Sequence, residues 1–285
     1  MIEYELIASD RGLADFRHRL HQQETRAIAV DFEGEFNLHE YGCRLCLIQV
    51  YDGSRFCLID PFPISPGELK AFLEDRGIVK LFYGADSDRS LVHKQYGIDI
   101  RSMYDLKLLV DLLDLEQKGL DGVLKAVLGI ETTGKKKFQM HNWTRRPIER
   151  EALQYALTDV QHLFRLHTAL LDLIKERRLV DELVLRLVQD PPEFNPNPIP
   201  TIQKSREYRE LSSREKARFQ KILDLREEVA KKLNCPPNVV IAKDLMFLIA
   251  TREASLSMLR PGPKVGRETI DGLVAAIHAI YAGEA

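Results

Sequence analysis

Cysteine and tryptophan are scarce in this chain, which has four of the first and one of the second among 285 residues. Four cysteines in a chain of this length do not make a disulfide framework, so we expect a reducing, cytoplasmic environment. Long apolar runs are missing too, since none approaches the roughly 20 residues that a membrane-spanning helix needs. The first ten residues, MIEYELIASD, have neither the basic flank nor the apolar stretch of a secretory signal. These features argue against a disulfide-rich secreted module and against a membrane protein.

The chain as a whole also lacks an excess of either charge. Its 41 lysines and arginines nearly balance its 43 aspartates and glutamates, for a net charge of −2. The two ends differ, because residues 201–285 carry 15 basic and 11 acidic side chains and the residues before them carry a net charge of −6. The acidic part fits a carboxylate site that binds metal cations, and the basic part suits contact with a phosphate backbone. A plain solvated surface explains the same mild asymmetry.

Five prolines among residues 190–200 mark the clearest boundary in the chain. Because proline lacks a backbone N–H and fixes φ, this stretch excludes a helix or an inner strand. We predict a linker over residues 191–204, between an N-terminal domain of residues 1–190 and a C-terminal domain of residues 205–285.

The N-terminal domain begins with strand patterns and continues with alternating strands and helices. The Asp52-Gly53 pair between two apolar runs is a hairpin signal. The predicted strands are Arg26–Glu33, Leu45–Tyr51, Arg55–Asp60 and Ile78–Tyr83, and the predicted helices are Pro66–Asp75, Asp86–Tyr96, about 105–115, 120–128 and 149–177. This order predicts an α/β fold with a mixed β-sheet flanked by helices. The C-terminal domain is predicted to be a small all-α bundle with helices Ser213–Leu233, Asp244–Ala250 and Thr269–Tyr281.

Two carboxylates, Asp31 and Glu33, lie two residues apart in an apolar strand pattern. In a strand both side chains leave the same face, roughly 7 Å apart along the chain. Burying unpaired charge is expensive, so such a pair needs a partner, and a divalent cation is one. The alternative is that the strand ends near Val30 and both acids are solvated at its tip.

Tyr155 and Asp159 lie four residues apart within the predicted helix 149–177, so they share one face at the edge of its apolar stripe. The alternative is a packed tyrosine beside an aspartate in water. Asp88 lies near the start of the predicted helix that follows Tyr83, where an acid is also favourable for the helix alone. Each fragment by itself is weak evidence, and the joint occurrence of all five residues carries the hypothesis.

Four carboxylates and a phenol suit two-metal phosphodiester chemistry. Two Mg²⁺ or Mn²⁺ ions about 4 Å apart stabilise the attacking and leaving oxygens of an in-line displacement. Hard cations prefer oxygen ligands, and Mg²⁺ keeps several waters, so a few carboxylates suffice. A phenol with an ordinary pKa near 10 is a poor general base, so we expect Tyr155 to orient the attacking water.

In this order the residues resemble the motifs of the DEDD 3′–5′ exonucleases of the tyrosine subgroup, and among them the ribonuclease D-like enzymes. The resemblance covers nearly the whole chain. It rests on VDFEGE at 30–35 followed by LCLIQ at 45–49, YGADSDRSL at 83–91, LDGVL at 120–124, Lys136, WTRRP at 143–147 and YALTDV at 155–160. It implies a ribonuclease H-like fold, Asp31, Glu33, Asp88 and Asp159 as metal ligands, and Tyr155 as the residue that orients the water.

Two nearby acids compete for these assignments. Glu35 competes with Glu33, and the family's Asp-x-Glu spacing selects Glu33. Asp86 competes with Asp88, and the distance to Leu91 selects Asp88. The C-terminal domain resembles a single HRDC domain, on ILDLREEVAK at 222–231 and NVVIAKDL at 238–245.

A basic stretch that also contains Trp143 lies between the second and third acidic motifs. Lys136, Lys137, Trp143 and Arg146 combine charge with an aromatic ring, which suits binding of a single-stranded backbone and stacking of a base. The alternative is a solvated loop in which Trp143 packs inward.

The sequence therefore predicts a metal-dependent 3′–5′ exoribonuclease that binds a single-stranded RNA 3′ end and releases nucleoside 5′-monophosphates, in 3′-end processing of tRNA and structured RNA. The same chemistry on DNA or on short oligonucleotides is the first alternative. A catalytically inactive nucleic-acid-binding adaptor is the second.

Overall fold

The computed structural model describes residues 2–131, 138, 140–189 and 200–283. Within them, six strands form one sheet in the order β1-β4-β3-β2-β5-β6. The strands are β1 (Tyr4–Ile7), β2 (Ala27–Phe36), β3 (Cys43–Tyr51), β4 (Phe56–Ile59), β5 (Val79–Phe82) and β6 (Met103–Asp105).

The sheet is mixed, as predicted. Strand β3 runs antiparallel to β4, whereas β1 pairs in parallel with β4 and β5 pairs in parallel with both β2 and β6. The hairpin predicted at Asp52-Gly53 is confirmed: the Asp52 carboxylate accepts hydrogen bonds from the backbone N–H groups of Ser54 and Arg55. Gly53 has a φ of 97°, a conformation that favours glycine.

Helices cover both faces of the sheet and divide its core into layers. On one face, α1 (Asp10–Gln22), α2 (Pro66–Leu73) and α3 (Asp86–Tyr96) bury apolar side chains such as Phe16 and Phe72 against β2 and β3. The other face is covered by α4 (Lys107–Leu112), α5 (Leu120–Leu128), α6 (Arg150–Gln161), α7 (Leu163–Glu176) and α8 (Val180–Val188). None of the helices in the described residues is both long and apolar enough to cross a bilayer.

Within residues 1–190, the structure differs from the sequence predictions in three ways. Strand β1 and helices α1 and α8 were not predicted at all. The single helix predicted over 149–177 is two helices that meet at His162. The predicted start of a helix at Asp105 is instead the last residue of β6.

The C-terminal helices form a second compact unit, which also includes Glu35–Cys43. Its helices are α9 (Arg206–Glu210), α10 (Ser213–Lys232), α11 (Pro237–Val240), α12 (Lys243–Thr251) and α13 (Arg267–Ala282). A capping box between Ser212 and Glu215 begins α10, and Phe219 stacks on Phe247 in the core with ring centroids 4.8 Å apart. The three predicted helices of this segment are confirmed.

Residues 35–43 form hydrogen bonds with this C-terminal segment that the sequence pattern does not predict. The Lys264 ammonium donates to the carbonyl of His39 at 2.7 Å, and the backbone N–H of Tyr41 donates to the Asn234 side chain at 3.3 Å. Within the segment, the buried Glu35 carboxylate accepts hydrogen bonds from the backbone N–H groups of Leu38 and His39. The Glu35 carboxylate therefore stabilises the turn at residues 35–39.

Candidate active site

The first two carboxylates come from the middle of β2. This strand continues to Phe36, so it does not end near Val30, and the solvated-tip alternative is wrong. Asp31 and Glu33 alternate with the buried Phe32, as the two-residue period of a strand requires. One carboxylate oxygen of each lies within 4.8 Å of the other and of an oxygen of Asp159.

Helix α6 supplies Asp159 and Tyr155. Its apolar stripe, which includes Ala152, Ala156 and Val160, is buried against the sheet. That packing turns the adjacent stripe, one helical turn apart at Tyr155 and Asp159, toward β2. The phenol ring of Tyr155 is half-buried and stacks on Phe138, with ring centroids 4.9 Å apart.

Asp88 lies in the first turn of α3 and is 8% exposed. It is not one of the three closest carboxylates, but its charge is the strongest charge that acts on Asp31. We call Asp31, Glu33, Asp88 and Asp159 the acidic pocket. The structure thus brings three of the predicted ligands close enough to bind one ion and places the fourth, Asp88, where its charge acts on Asp31.

Burial and mutual repulsion disfavour ionisation of the carboxylates in the acidic pocket. Burial, then the charges of Asp88, Asp159 and Glu33, raise the pKa of Asp31 well above its usual value. Burial, then the charge of Asp105, raises the pKa of Asp88 from 3.8 to about 7. A cation bound among these oxygens would relieve both effects, because it replaces lost hydration with opposite charge.

Tyr155 is held as a neutral phenol. Burial first, and then the neighbouring charges of Asp159, Glu33 and Asp31, raise its pKa above its ordinary value of 10.0. A neutral phenol at pH 7 donates or accepts a hydrogen bond but does not remove a proton.

The donor set fits a hard divalent cation. Its ligand atoms are all carboxylate oxygens, which Mg²⁺ and Mn²⁺ prefer. Among the described residues, Asp31, Glu33 and Asp159 are the one group of three or more acidic, histidine or cysteine side chains close enough to share an ion.

A family model described as 3′-5′ exonuclease matches residues 4–175, which is more than half of the chain and contains the whole acidic pocket. The chain belongs to the 3′-5′ exonuclease family. Six strands in a mixed sheet flanked by helices give the exonuclease fold that the sequence predicted.

Named relatives support this membership. Exosome complex component 10 of Rattus norvegicus is 30% identical over 142 residues, which cover 48% of this chain and 16% of that protein. Ribonuclease D of Sphingobium indicum is 24% identical over 258 residues, which cover 87% of this chain and 64% of that protein. The chain therefore spans less than two thirds of the length of either relative.

A solved structure extends the likeness to nearly the whole fold. The crystal structure of Escherichia coli RNase D, described as an exoribonuclease involved in structured RNA processing, has a TM-score of 0.69 to this chain. The alignment covers 98% of this chain and 76% of that one at 22% sequence identity. At this identity the likeness shows the shared fold.

The predicted nucleic-acid contacts need correction at two residues. Trp143 is 3% exposed and packs with Ala152 and Leu157, so its indole is not available for stacking on a base. Arg146 pairs with Asp60 and uses its remaining N–H groups on the carbonyls of Trp143, Arg145 and Cys46. All five N–H groups of Arg146 donate hydrogen bonds within the protein, so Arg146 has a structural role. Lys136 and Lys137 lie outside the described residues.

Sequence reasoning missed Asp105, which organises the approach to Asp88. Its carboxylate accepts hydrogen bonds from the backbone N–H groups of Gly84, Ala85 and Lys107 at 2.8 to 2.9 Å. Gly84 has a φ of 76°, so the turn that begins α3 depends on a glycine. In the sequence, the sign of this turn is Gly84 directly after the predicted strand Ile78–Tyr83 and four residues before Asp88.

Phe138 was also missed. A lone phenylalanine between basic and polar residues gives no sign that its ring will face Tyr155, because their contact joins positions 17 residues apart. Both side chains belong to one apolar layer with Trp143 and Leu157.

Proposed function

We propose that this chain is a metal-dependent 3′–5′ exoribonuclease of the DEDD tyrosine subgroup. The observation that carries the proposal is the meeting of Asp31, Glu33 and Asp159 within 4.8 Å, with buried Asp88 acting on Asp31. Carboxylates this close are costly unless cations neutralise them. The names of the relatives, ribonuclease D and an exosome component, support RNA as the substrate.

The residues that would hold two divalent ions are Asp31, Glu33, Asp88 and Asp159. Bound there, Mg²⁺ or Mn²⁺ would supply charge stabilisation for the attacking and leaving oxygens of the scissile phosphate. Asp31, Glu33 and Asp159 lie close enough to bind one ion, whereas Asp88, on α3, acts on Asp31 through its charge.

Tyr155 would orient the attacking water. Its phenol is neutral at physiological pH because burial and the neighbouring carboxylates raise its pKa. It accepts or donates one hydrogen bond to the water without taking its proton, and the stack with Phe138 restricts the ring. Water then adds to phosphorus, the bond from phosphorus to the 3′ oxygen of the preceding nucleotide breaks, and that oxygen leaves with a proton as a free 3′-hydroxyl. The products are a nucleoside 5′-monophosphate and an RNA one nucleotide shorter.

Finer assignments belong to the same proposal. We propose that residues 1–190 form the nuclease domain, that 191–204 are a linker, and that 205–285 form an HRDC-like domain. The substrate would be the single-stranded 3′ end of a tRNA or another structured RNA in the cytoplasm.

Digestion of 5′-labelled and 3′-labelled RNA tests the proposal. With Mg²⁺ or Mn²⁺, a 5′ label should give a ladder that shortens by single nucleotides, and a 3′ label should appear at once as mononucleotide. Matched DNA strands and oligonucleotides of several lengths distinguish the two alternatives on substrate.

Two variants and one control assign the chemistry. Asp31→Asn should abolish release of nucleotides, and Tyr155→Phe should lower kcat by 10²-fold or more with little change in KM. Asp172→Asn, in an exposed ion pair with Lys175 on α7, should behave as the wild type. Full activity of Asp31→Asn, or release of label from the 5′ end first, contradicts the proposal.

A further inference from the structure

A groove of about 440 Å³ lies in the nuclease unit, apart from the acidic pocket. Its walls include Arg26 and Ala27 at the start of β2, Tyr51 at the end of β3, and Gln161, Phe164 and Arg165 where α6 meets α7. We call Arg26, Tyr51, Gln161, Phe164 and Arg165 the arginine groove.

Two arginines give this groove its charge. Arg26 and Arg165 are exposed, and within the described residues neither guanidinium has a hydrogen bond or an ion pair. Asp52, which also lines the groove, already accepts hydrogen bonds from Ser54 and Arg55 and lies 3.6 Å from the Arg55 guanidinium. The groove therefore presents unpaired positive charge, in contrast to Arg146, whose donors are all used.

Aromatic rings form the other part of the wall. Tyr51 stacks on Phe56 with centroids 4.3 Å apart, and Phe164 lies 5.9 Å from Tyr51 at an interplanar angle of 59°. The Tyr51 hydroxyl donates to the carbonyl of Gly53 at 2.7 Å, which fixes the ring. Rings fixed beside free guanidinium groups match a strand of alternating bases and phosphates, because bases stack on aromatic faces and arginine pairs with phosphate.

The arginine groove and the acidic pocket share two elements. Ala27 and Asp31 lie four positions apart on β2, a distance of roughly 13 Å. On α6, Gln161 follows Asp159 by two residues. At about 3.4 Å per stacked nucleotide, about four nucleotides span the distance along β2.

We propose that the arginine groove is a second contact site for single-stranded RNA, a few nucleotides 5′ of the end that lies in the acidic pocket. Arg26 and Arg165 each pair with a phosphate, and a base stacks against Tyr51 and Phe164. This inference rests on the proposed function for its substrate, and it adds a determinant of substrate length.

Equilibrium binding of a 5′-labelled 20-nucleotide RNA, in EDTA so that no hydrolysis occurs, tests the inference. Loss of two phosphate contacts should reduce the slope of log affinity against log salt concentration by about 1.4. The double variant Arg26→Gln/Arg165→Gln should therefore bind about 25-fold more weakly than the wild type at 0.1 M salt and about equally at 1 M salt. A trinucleotide, too short to reach the groove, should lose less than twofold.

The matched control is Arg11→Gln/Arg76→Gln, which removes two exposed arginines from α1 and from the turn before β5. It should keep the slope of the wild type, which separates a located contact from a change in net charge. Tyr51→Leu should weaken binding of the long strand without changing the slope, because stacking releases no counterions.

The inference is overturned if the groove variant keeps the wild-type slope, or if the trinucleotide and the long strand lose affinity equally. The outcome is independent of the hydrolysis assay. If the groove variant lowers the slope but the wild-type protein does not digest RNA, the groove is supported and the proposed function is refuted. If the wild-type protein digests RNA but the groove variant keeps the wild-type slope, the proposed function stands and the groove is refuted.

Discussion

Replacing Asp88 with asparagine tests the electrostatics of the acidic pocket by its effect on stability. Asp88 is 8% exposed, and burial, followed by the charges of Asp105 and Asp86, raises its pKa from 3.8 to about 7. Asparagine has nearly the shape of a protonated aspartate and no charge. The variant therefore behaves as an Asp88 that never ionises.

The sign follows from proton binding. Between pH 3.8 and about 7, folded protein retains a proton on Asp88 that unfolded protein releases. The free energy of unfolding therefore falls as pH rises through this window, and it is fully reduced above pH 7. The pKa difference corresponds to about 4 kcal/mol, at about 1.4 kcal/mol per unit. Asp88→Asn should consequently be up to about 4 kcal/mol more stable than the wild type at pH 8 and nearly equal to it at pH 4.

Urea unfolding in EDTA, at pH values from 4 to 8.5, measures this difference. Subtracting wild type from variant at each pH cancels the titration of the groups that the Asp88 charge does not affect. Asp86→Asn is the control, because Asp86 is exposed in the same first turn of α3. Its effect should stay within about 1 kcal/mol at every pH, as is usual for surface changes.

Added Mg²⁺ should narrow the difference between the two proteins at pH 8. A ligand that binds only the folded state at a hundred times its Kd stabilises it by about 2.7 kcal/mol. Wild type should gain this stabilisation, and Asp88→Asn should gain less because it lacks one ligand. A variant that is no more stable than wild type in EDTA at pH 8, or whose advantage does not change between pH 4 and pH 8, refutes the reasoning.

Two further variants test contacts that stabilise the fold. Arg146→Ala should lower the free energy of unfolding by about 2 kcal/mol, because it leaves the Asp60 carboxylate and three carbonyls without their donor. The control, Arg145→Ala, should change the free energy of unfolding by less than about 0.5 kcal/mol in the same urea titration. Lys80 is fully buried and burial lowers its pKa from 10.5 to about 8, so wild type should gain about 3 kcal/mol relative to Lys80→Met as pH rises from 8 to 10.5. Wild type gains stability because, between pH 8 and 10.5, unfolded protein binds a proton on Lys80 that folded protein has released. A difference in unfolding free energy that stays constant over this pH range would contradict a lowered pKa for Lys80.

Local pattern predicted the elements that hold the acidic pocket. The apolar run before Asp31 and Glu33 gave β2, and the glycine at position 97 correctly marked the end of α3, where it has a φ of 66°. Helical periodicity placed Tyr155 and Asp159 on one face of α6. These signals are local because each depends on neighbours within about four residues.

Tertiary packing decided what local pattern did not predict. Strand β1 is only four residues long and leaves Leu6 exposed, so its apolar signal is weak. The junction at His162 lacks a proline or glycine, and the apolar stripe continues through it at Leu163 and Leu166, so the periodicity gave no sign of two helices. The burial of Trp143 depends on contacts with α6 that no short-range pattern encodes.

The convergence of the carboxylates is the least local feature, since 128 positions separate Asp31 from Asp159. Each acid is presented by an element of regular secondary structure. Asp31 and Glu33 are fixed by the sheet, Asp88 by a turn held through Asp105, and Asp159 by the buried stripe of α6.

Repulsion among like charges would push apart side chains on loops, but it acts here against a sheet and two packed helices. The backbone therefore holds the charges together, and their repulsion raises the pKa values of Asp31 and Asp88. By this argument, weakening a support such as Asp105 should relax the pocket, so Asp105→Ala should lower metal affinity although Asp105 is none of the proposed ligands. Titration of the folded variant with Mn²⁺ measures this effect, and an unchanged Kd would show that the carboxylates find their positions without the turn.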